Sequence, residues 1–200
     1  MLYDKDIREP LFDFLEEAYG KLRIIEEKQV GKSRADIVMV LPGLLTGIEI
    51  KSDADSYVRL SRQVKDYDRF FDRNMVVAGS SHAAHVREHV PGWWGIITVE
   101  QNDREIDFYV LRQPQENPMM NWKRKLSLLW RPELAHIQEL TAMPRYKEKS
   151  KAFVIEKILA KVPGEQLSVL VSEELFERDY TRIEEVIRAY KIQNRPELKG

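Results

Sequence analysis

The hydrophobic positions change their period along the chain, and each change predicts an element. Between Asp6 and Tyr19, Ile7, Leu11, Phe14 and Leu15 recur at helical spacing, and Gly20 supplies a stop. Leu22–Val30, Ala35–Leu41 (ADIVMVL) and Leu45–Ile50 (LTGIEI) read as strands, the last two joined through Pro42-Gly43. Capping side chains between Asp53 and Ser56 open a helix that runs to about Phe71. Asn74–Ala78 is a short buried strand, Ser81–His89 a short helix, Trp94–Val99 a strand, and Glu105–Leu111 (EIDFYVL) a further strand suited to a sheet edge. The order α-β-β-β-α-β-α-β predicts an α/β mixed sheet with helices on its faces. Beyond Pro114 the pattern changes. QPQENPMMN reads as a linker, and helices follow near 123–141, 147–162, 165–177 and 181–191. The expected organisation is a core over residues 1–115 and a helical C-terminal subdomain over 116–200.

The composition fits that reading and narrows the function. With 200 residues and 43% hydrophobic content the chain can bury one full core with an appendage, which excludes a disordered or fibrous protein. No apolar run approaches the roughly 20 residues that span a bilayer. The charged, mixed N-terminus MLYDKDIREP is no secretory or transit signal, so the expected address is the cytoplasm, without a membrane partner. The absence of cysteine removes disulfides, zinc–thiolate sites and cysteine nucleophiles. The net charge of −1 hides an asymmetry: residues 112–161 hold eleven Lys and Arg against five Glu, so the remainder is strongly acidic. The basic segment, with Lys123, Arg124, Lys125, Lys147, Lys149 and Lys151, suits a phosphate-bearing partner or a homodimer contact, and equally a solvated helical face.

The chemistry concentrates in the third strand. In GIEIKS, Ile48 and Ile50 point to one face, and Glu49 and Lys51 to the other. A carboxylate can hold a hard cation, and a neighbouring ammonium can stabilise a developing anion. If Pro42-Gly43 form a two-residue loop, Leu41 pairs with Leu44, and Asp36 then stands opposite Glu49, with side chains roughly 5 Å apart. Two opposed carboxylates repel unless a cation lies between them. An L-Pro-Gly pair favours ordinary turns over the primed hairpin types, and a slip of one residue would undo this juxtaposition. In the following helix Gln63 and Tyr67, four residues apart, share one face.

This arrangement resembles the PD-(D/E)xK nuclease superfamily, with its α-β-β-β-α-β restriction-endonuclease-like core, an acid on the second strand and E-x-K on the third. Its members include restriction endonucleases, Holliday-junction resolvases and RecB-like exonucleases, the last with a QxxxY helix after the lysine. The stretches SRADIVMV, IEIKSDADSYVRLSRQVKDYDRFFDR and VPGWWGI are similar to a group of small bacterial and phage proteins in that superfamily. The resemblance covers roughly residues 5–100, and Ala35 stands where the name-giving proline would be. It implies a metal-dependent deoxyribonuclease acting on DNA, with no organic cofactor, leaving 5′-phosphate and 3′-hydroxyl ends. Asp36 and Glu49 would ligate Mg²⁺ or Mn²⁺, helped by the Ile50 carbonyl, and Lys51 would position the attacking water. Gln63 and Tyr67 would steady the site and approach the DNA, with Arg34, Ser52, Arg59 and Arg62 as further nucleic-acid contacts. An additional acid is expected from the first helix, Glu9 before Glu16, with Glu27 on the first strand as a third choice. Endonuclease and exonuclease action both stay open. The alternative class is a non-catalytic nucleic-acid-binding or assembly module on the same fold.

Other constellations carry less. His82, His85 and His89 recur on one face of the predicted short helix, but no Cys accompanies them to complete a zinc site. PGLLTG lacks a Walker lysine, and no serine sits in G-x-S-x-G.

Overall fold

The computed structural model describes residues 2–102, 105–179 and 183–193. It divides the chain into two compact units at Asn121/Trp122.

In the first unit the pattern of apolar positions builds an amphipathic helix and a six-stranded sheet. Helix α1 (Asp4–Tyr19) buries Ile7, Leu11 and Leu15 and ends at Gly20. Strands β1 (Arg23–Val30), β2 (Ser33–Leu41) and β3 (Leu44–Lys51) form an antiparallel meander. Helix α2 (Leu60–Phe70), preceded by a 3-10 turn at Tyr57–Arg59, crosses over to β4 (Arg73–Gly79), which lies parallel to β3. A single helical turn, α3 (Ser80–Ala83), leads through a 3-10 turn at Val86–Glu88 to β5 (Gly95–Asn102), parallel to β4. Strand β6 (Glu105–Arg112) returns antiparallel to β5 and closes the order β1-β2-β3-β4-β5-β6, so β6 is an edge.

The Pro42-Gly43 loop holds the expected register. Leu41 pairs with Leu44, and the ladder runs back to Ile37 against Ile48. Gly43 has φ 74°, the left-handed value that a type II Pro-Gly turn needs at its third residue. The faces then separate as the alternation requires. Ile37, Met39, Ile48, Ile50, Met75, Val77, Ile97 and Val99 pack with the apolar stripe of α1. On the opposite face α2 approaches so closely that a Cβ on Gly47 would stand within 2.3 Å of the Phe71 ring and 2.8 Å of Tyr67. Glycine at 47 therefore sets the distance between α2 and the sheet.

Two boundaries differ from the periodicity. The Ser81–His89 segment is no continuous helix: His82 and His89 instead flank the Tyr57 ring, at centroid distances of 4.9 and 4.2 Å. The stretch after Arg112 is pinned to the first unit, because Asn117 Nδ2 donates to the carbonyls of Asp68 and Phe71 at 2.8 and 2.7 Å.

The second unit is helical: α4 (Trp122–Ser127), α5 (Arg131–Leu140), α6 (Lys151–Lys161), α7 (Gly164–Phe176) and α8 (Ile183–Gln193). The predicted 123–141 helix is divided because Pro132, which lacks an N–H, is placed in the first turn of α5. A buried ion pair lies in this unit. The Arg178 guanidinium donates to both Glu133 oxygens at 2.7 and 2.6 Å and stacks 3.8 Å over Trp130. Lys125, expected on the basic surface, is fully buried with its ammonium 4.7 Å over Trp122. No helix among the described residues is long and apolar enough to cross a membrane.

Candidate functional site

The site forms where the meander comes apart. The β2–β3 ladder stops at Ile37–Ile48, and in place of the next rung the Ile50 N–H donates to Asp36 Oδ2 at 2.8 Å. On the other side, the β1–β2 ladder skips the rung between Glu26–Ile37 and Lys28–Ala35. Glu27, at this gap, adopts φ 54°, a conformation rare for residues with a side chain. Glu27, Asp36 and Glu49 therefore occupy one row across three strands.

Glu49 and Lys51 lie on the α2 face and are almost wholly buried, at 1% and 3% exposure. Helical spacing on α2 brings Gln63 and Tyr67 down onto them. Lys51 Nζ stands 2.5 Å from Glu49 Oε1 and donates to Gln63 Oε1 at 3.1 Å. Gln63 Nε2 also donates to Glu49 Oε1. The Tyr67 hydroxyl donates to Glu49 Oε2 at 2.5 Å and accepts the Asp36 N–H at 3.1 Å. Both Glu49 oxygens are thus held by donors, as a buried carboxylate requires.

The electrostatics follow from this burial. Desolvation, with the Glu49 charge second, pushes the Asp36 carboxyl up to about 7, against the opposing pull of the Ile50 N–H and Lys51. Burial first, then the charges of Glu49 and Asp36, raises the Tyr67 hydroxyl well above its ordinary value, so it remains a donor. Burial tends to lower the Arg8 guanidinium, but the hydrogen bond and charge of Asp4, with Asp36 and Glu27, hold it above its ordinary value.

Asp36, Glu49, Ile50, Lys51 and Gln63 border a cleft of about 560 Å³. Arg34, Arg59 and Arg62 stand on its rim, all exposed. Tyr67 lies beneath it, fully buried beside Phe71 and Trp94. Ser52 does not itself border the cleft: it is buried, and its hydroxyl donates at 2.7 Å to Oδ2 of Asp55, which does. Glu9 also differs from expectation. It is exposed and does not line the cleft, because it follows Arg8 by about 100° around α1. Glu16 is exposed one helical repeat further on. From α1 it is Asp4 and Arg8 that reach the cleft, and from β1 it is Glu27. Asp4 and Arg8 escaped the sequence reading, although their i, i+4 spacing beside the apolar stripe was a usable signal.

Asp36 and Glu49 offer oxygen donors of the kind hard cations take, and their mutual repulsion is what a divalent ion would relieve. Among the described residues no group of three His, Cys, Asp or Glu side chains is arranged to hold an ion, so water or backbone oxygen would have to complete the shell.

The fold and cleft define a mixed α/β protein with a charged site at the C-terminal end of β3. The chain matches the family model of bacteriophage P4 protein cII over residues 1–195, and it belongs to that family. Protein cII of Enterobacteria phage P4 is 28% identical over 101 residues, which are 50% of this chain and 38% of that protein. The chain therefore aligns with well under half the length of this relative. Among solved structures, SfsA of Pyrococcus furiosus in complex with Ca²⁺ is similar at TM-score 0.34 and 16% identity, over 56% of this chain and 62% of that chain.

Proposed function

We propose that this chain is a metal-dependent deoxyribonuclease of the PD-(D/E)xK type, built on a restriction-endonuclease-like core. The observation that carries the reading is the Asp36/Glu49-x-Lys51 juxtaposition across the β2–β3 splay, backed by Gln63 and Tyr67. Asp36 and Glu49, with the Ile50 carbonyl, would hold Mg²⁺ or Mn²⁺, which when bound would activate water and offset charge at the phosphorus. Lys51, fixed between Glu49 and Gln63, would stabilise the developing negative charge on the phosphate. Gln63 and Tyr67 would hold Glu49 in position while its charge is shared with the ion. Arg34, Arg59 and Arg62 would bind flanking DNA phosphates, fixing register without reading sequence. In the second unit Lys147 and Lys149 suit the same partner, whereas Lys123 is paired with Glu156 at 2.9 Å.

A second reading, a non-catalytic nucleic-acid-binding or assembly module, is favoured by one observation: every oxygen of Glu49 already has a protein donor. Incubation of circular and linear DNA with wild type and Lys51→Ala, with Mg²⁺ or Mn²⁺ against EDTA, separates the two. Metal-dependent cleavage that Lys51→Ala abolishes is expected, and nicking of the circle would mark an endonuclease. DNA binding by a folded wild type, without cleavage under any metal, would reject the nuclease in favour of the module.

A further inference from the structure

We infer that Arg8 is a positioning residue that serves as the resident counter-ion of the acid row and competes with a divalent cation for Asp36. The inference rests on the cation site of the nuclease reading and adds a residue to it.

The geometry of Arg8 motivates it. Its side chain is 17% exposed and meets four carboxylates. Nε donates to Asp4 at 2.6 Å, Nη2 to Glu27 at 2.6 Å, and Nη1 to Glu26 at 3.2 Å and to the Asp36 carbonyl at 3.4 Å. Asp36 Oδ2 is occupied by the Ile50 N–H, which leaves Oδ1 to ligate a cation. The group facing Oδ1 is Arg8 Nη2, at 3.9 Å: too long for a hydrogen bond, close enough for strong charge–charge attraction. Lys51 does not compete for this role, because its ammonium is committed to Glu49 and Gln63.

The cleft therefore carries its own positive charge beside the Asp36 oxygen that a divalent ion would take. A guanidinium does not lose its proton in proteins, so Arg8 can make way only by moving. The nitrogen nearest Asp36 Oδ1, Nη2, is also the donor to Glu27, so a turn of the guanidinium away from Asp36 pivots about its contacts to Asp4 and Glu27. The left-handed backbone of Glu27 has a role here: it directs that carboxylate across to Arg8 and Arg34 rather than along the ladder. Cation entry and the Arg8–Asp36 contact are then linked equilibria, and each weakens the other.

Isothermal titration of Mn²⁺ into wild type, Arg8→Gln, Arg8→Lys and Asp36→Asn, with melting curves in EDTA, tests this. Arg8→Gln should bind Mn²⁺ about tenfold more tightly, within the usual range for linked sites, while melting at a lower temperature without metal. Opposite movement of affinity and stability is the signature, because a residue with only a structural role would lower both. Arg8→Lys keeps the charge on a shorter reach, should tighten binding by a smaller factor, and serves if Arg8→Gln does not fold. Unchanged or weaker binding in both Arg8 variants, with wild type binding Mn²⁺, overturns the Arg8 inference and leaves the nuclease reading standing. Binding that Asp36→Asn does not weaken puts the ion elsewhere and overturns the inference. Absence of any Mn²⁺ binding to wild type overturns both.

Discussion

Asp36→Asn should make the metal-free protein more stable at pH 8 and leave it unchanged near pH 4. The argument starts from the Asp36 carboxyl, raised from an ordinary 3.8 to about 7 by burial and the Glu49 charge. A raised acid binds its proton more tightly in the native state than in the unfolded chain. Its contribution to stability is therefore fully present below about 4 and is lost as the pH rises through about 7. Each unit of difference is worth about 1.36 kcal/mol, so the ionised carboxylate costs the fold up to about 4 kcal/mol at pH 8. Asparagine removes that cost and can still accept the Ile50 N–H through its amide oxygen. Urea denaturation of both proteins in EDTA, from pH 4 to 8.5, reads the effect. The difference between variant and wild type should grow with pH, and the melting temperature at pH 8 should rise by about 2–4 °C for each kcal/mol gained. A difference that does not vary with pH, or an Asp36→Asn protein that is less stable at pH 8, would refute the argument from burial and the Glu49 charge.

Three further substitutions test the supports of the site and of the second unit. Gly47→Ala would drive a methyl into Phe71 and Tyr67 and should cost about 1–3 kcal/mol in urea denaturation, as overpacked cores do. Tyr67→Phe removes the donor to Glu49 Oε2 and the acceptor of the Asp36 N–H. It should cost about 1–3 kcal/mol by the same assay, with the fold retained by circular dichroism. Arg178→Leu leaves Glu133 buried without its partner and should cost about 3–5 kcal/mol, whereas the double variant Arg178→Leu/Glu133→Leu should recover much of the loss.

The sheet and its central acids were legible because they depend on short-range rules. A two-residue loop and strict alternation are enough to put Asp36 beside Glu49 and to turn Ile48 and Ile50 toward α1. Helical spacing alone is enough to aim Gln63 and Tyr67 together. What stayed hidden depends on tertiary contact. Which face of α1 looks into the cleft is decided by how Ile7, Leu11 and Leu15 seat on the sheet, and that seating delivers Arg8 and Asp4 rather than Glu9. The gap at Glu27 leaves no mark in the composition of β1. The burial of Lys125 under Trp122 reverses what its charge suggests, because the long aliphatic stem can line a core. The Ser52 hydroxyl, expected to contact nucleic acid, is instead bonded to Asp55 three residues on, a detail the spacing does not signal.

The broken ladder beside Asp36 also bears on the order in which the chain folds. The β2–β3 hairpin closes over two residues and needs no partner element, so it belongs to the fast, local part of folding. Closing it sets Asp36 against Glu49 before the crossover helix has brought Gln63 and Tyr67 to them, since pairings across longer loops come later. The repulsion is met early, and the donors that hold Glu49 arrive late. Stopped-flow refolding of wild type should therefore accelerate as the pH falls from 8 toward 5, and Asp36→Asn should refold at a rate that hardly changes with pH over the same range.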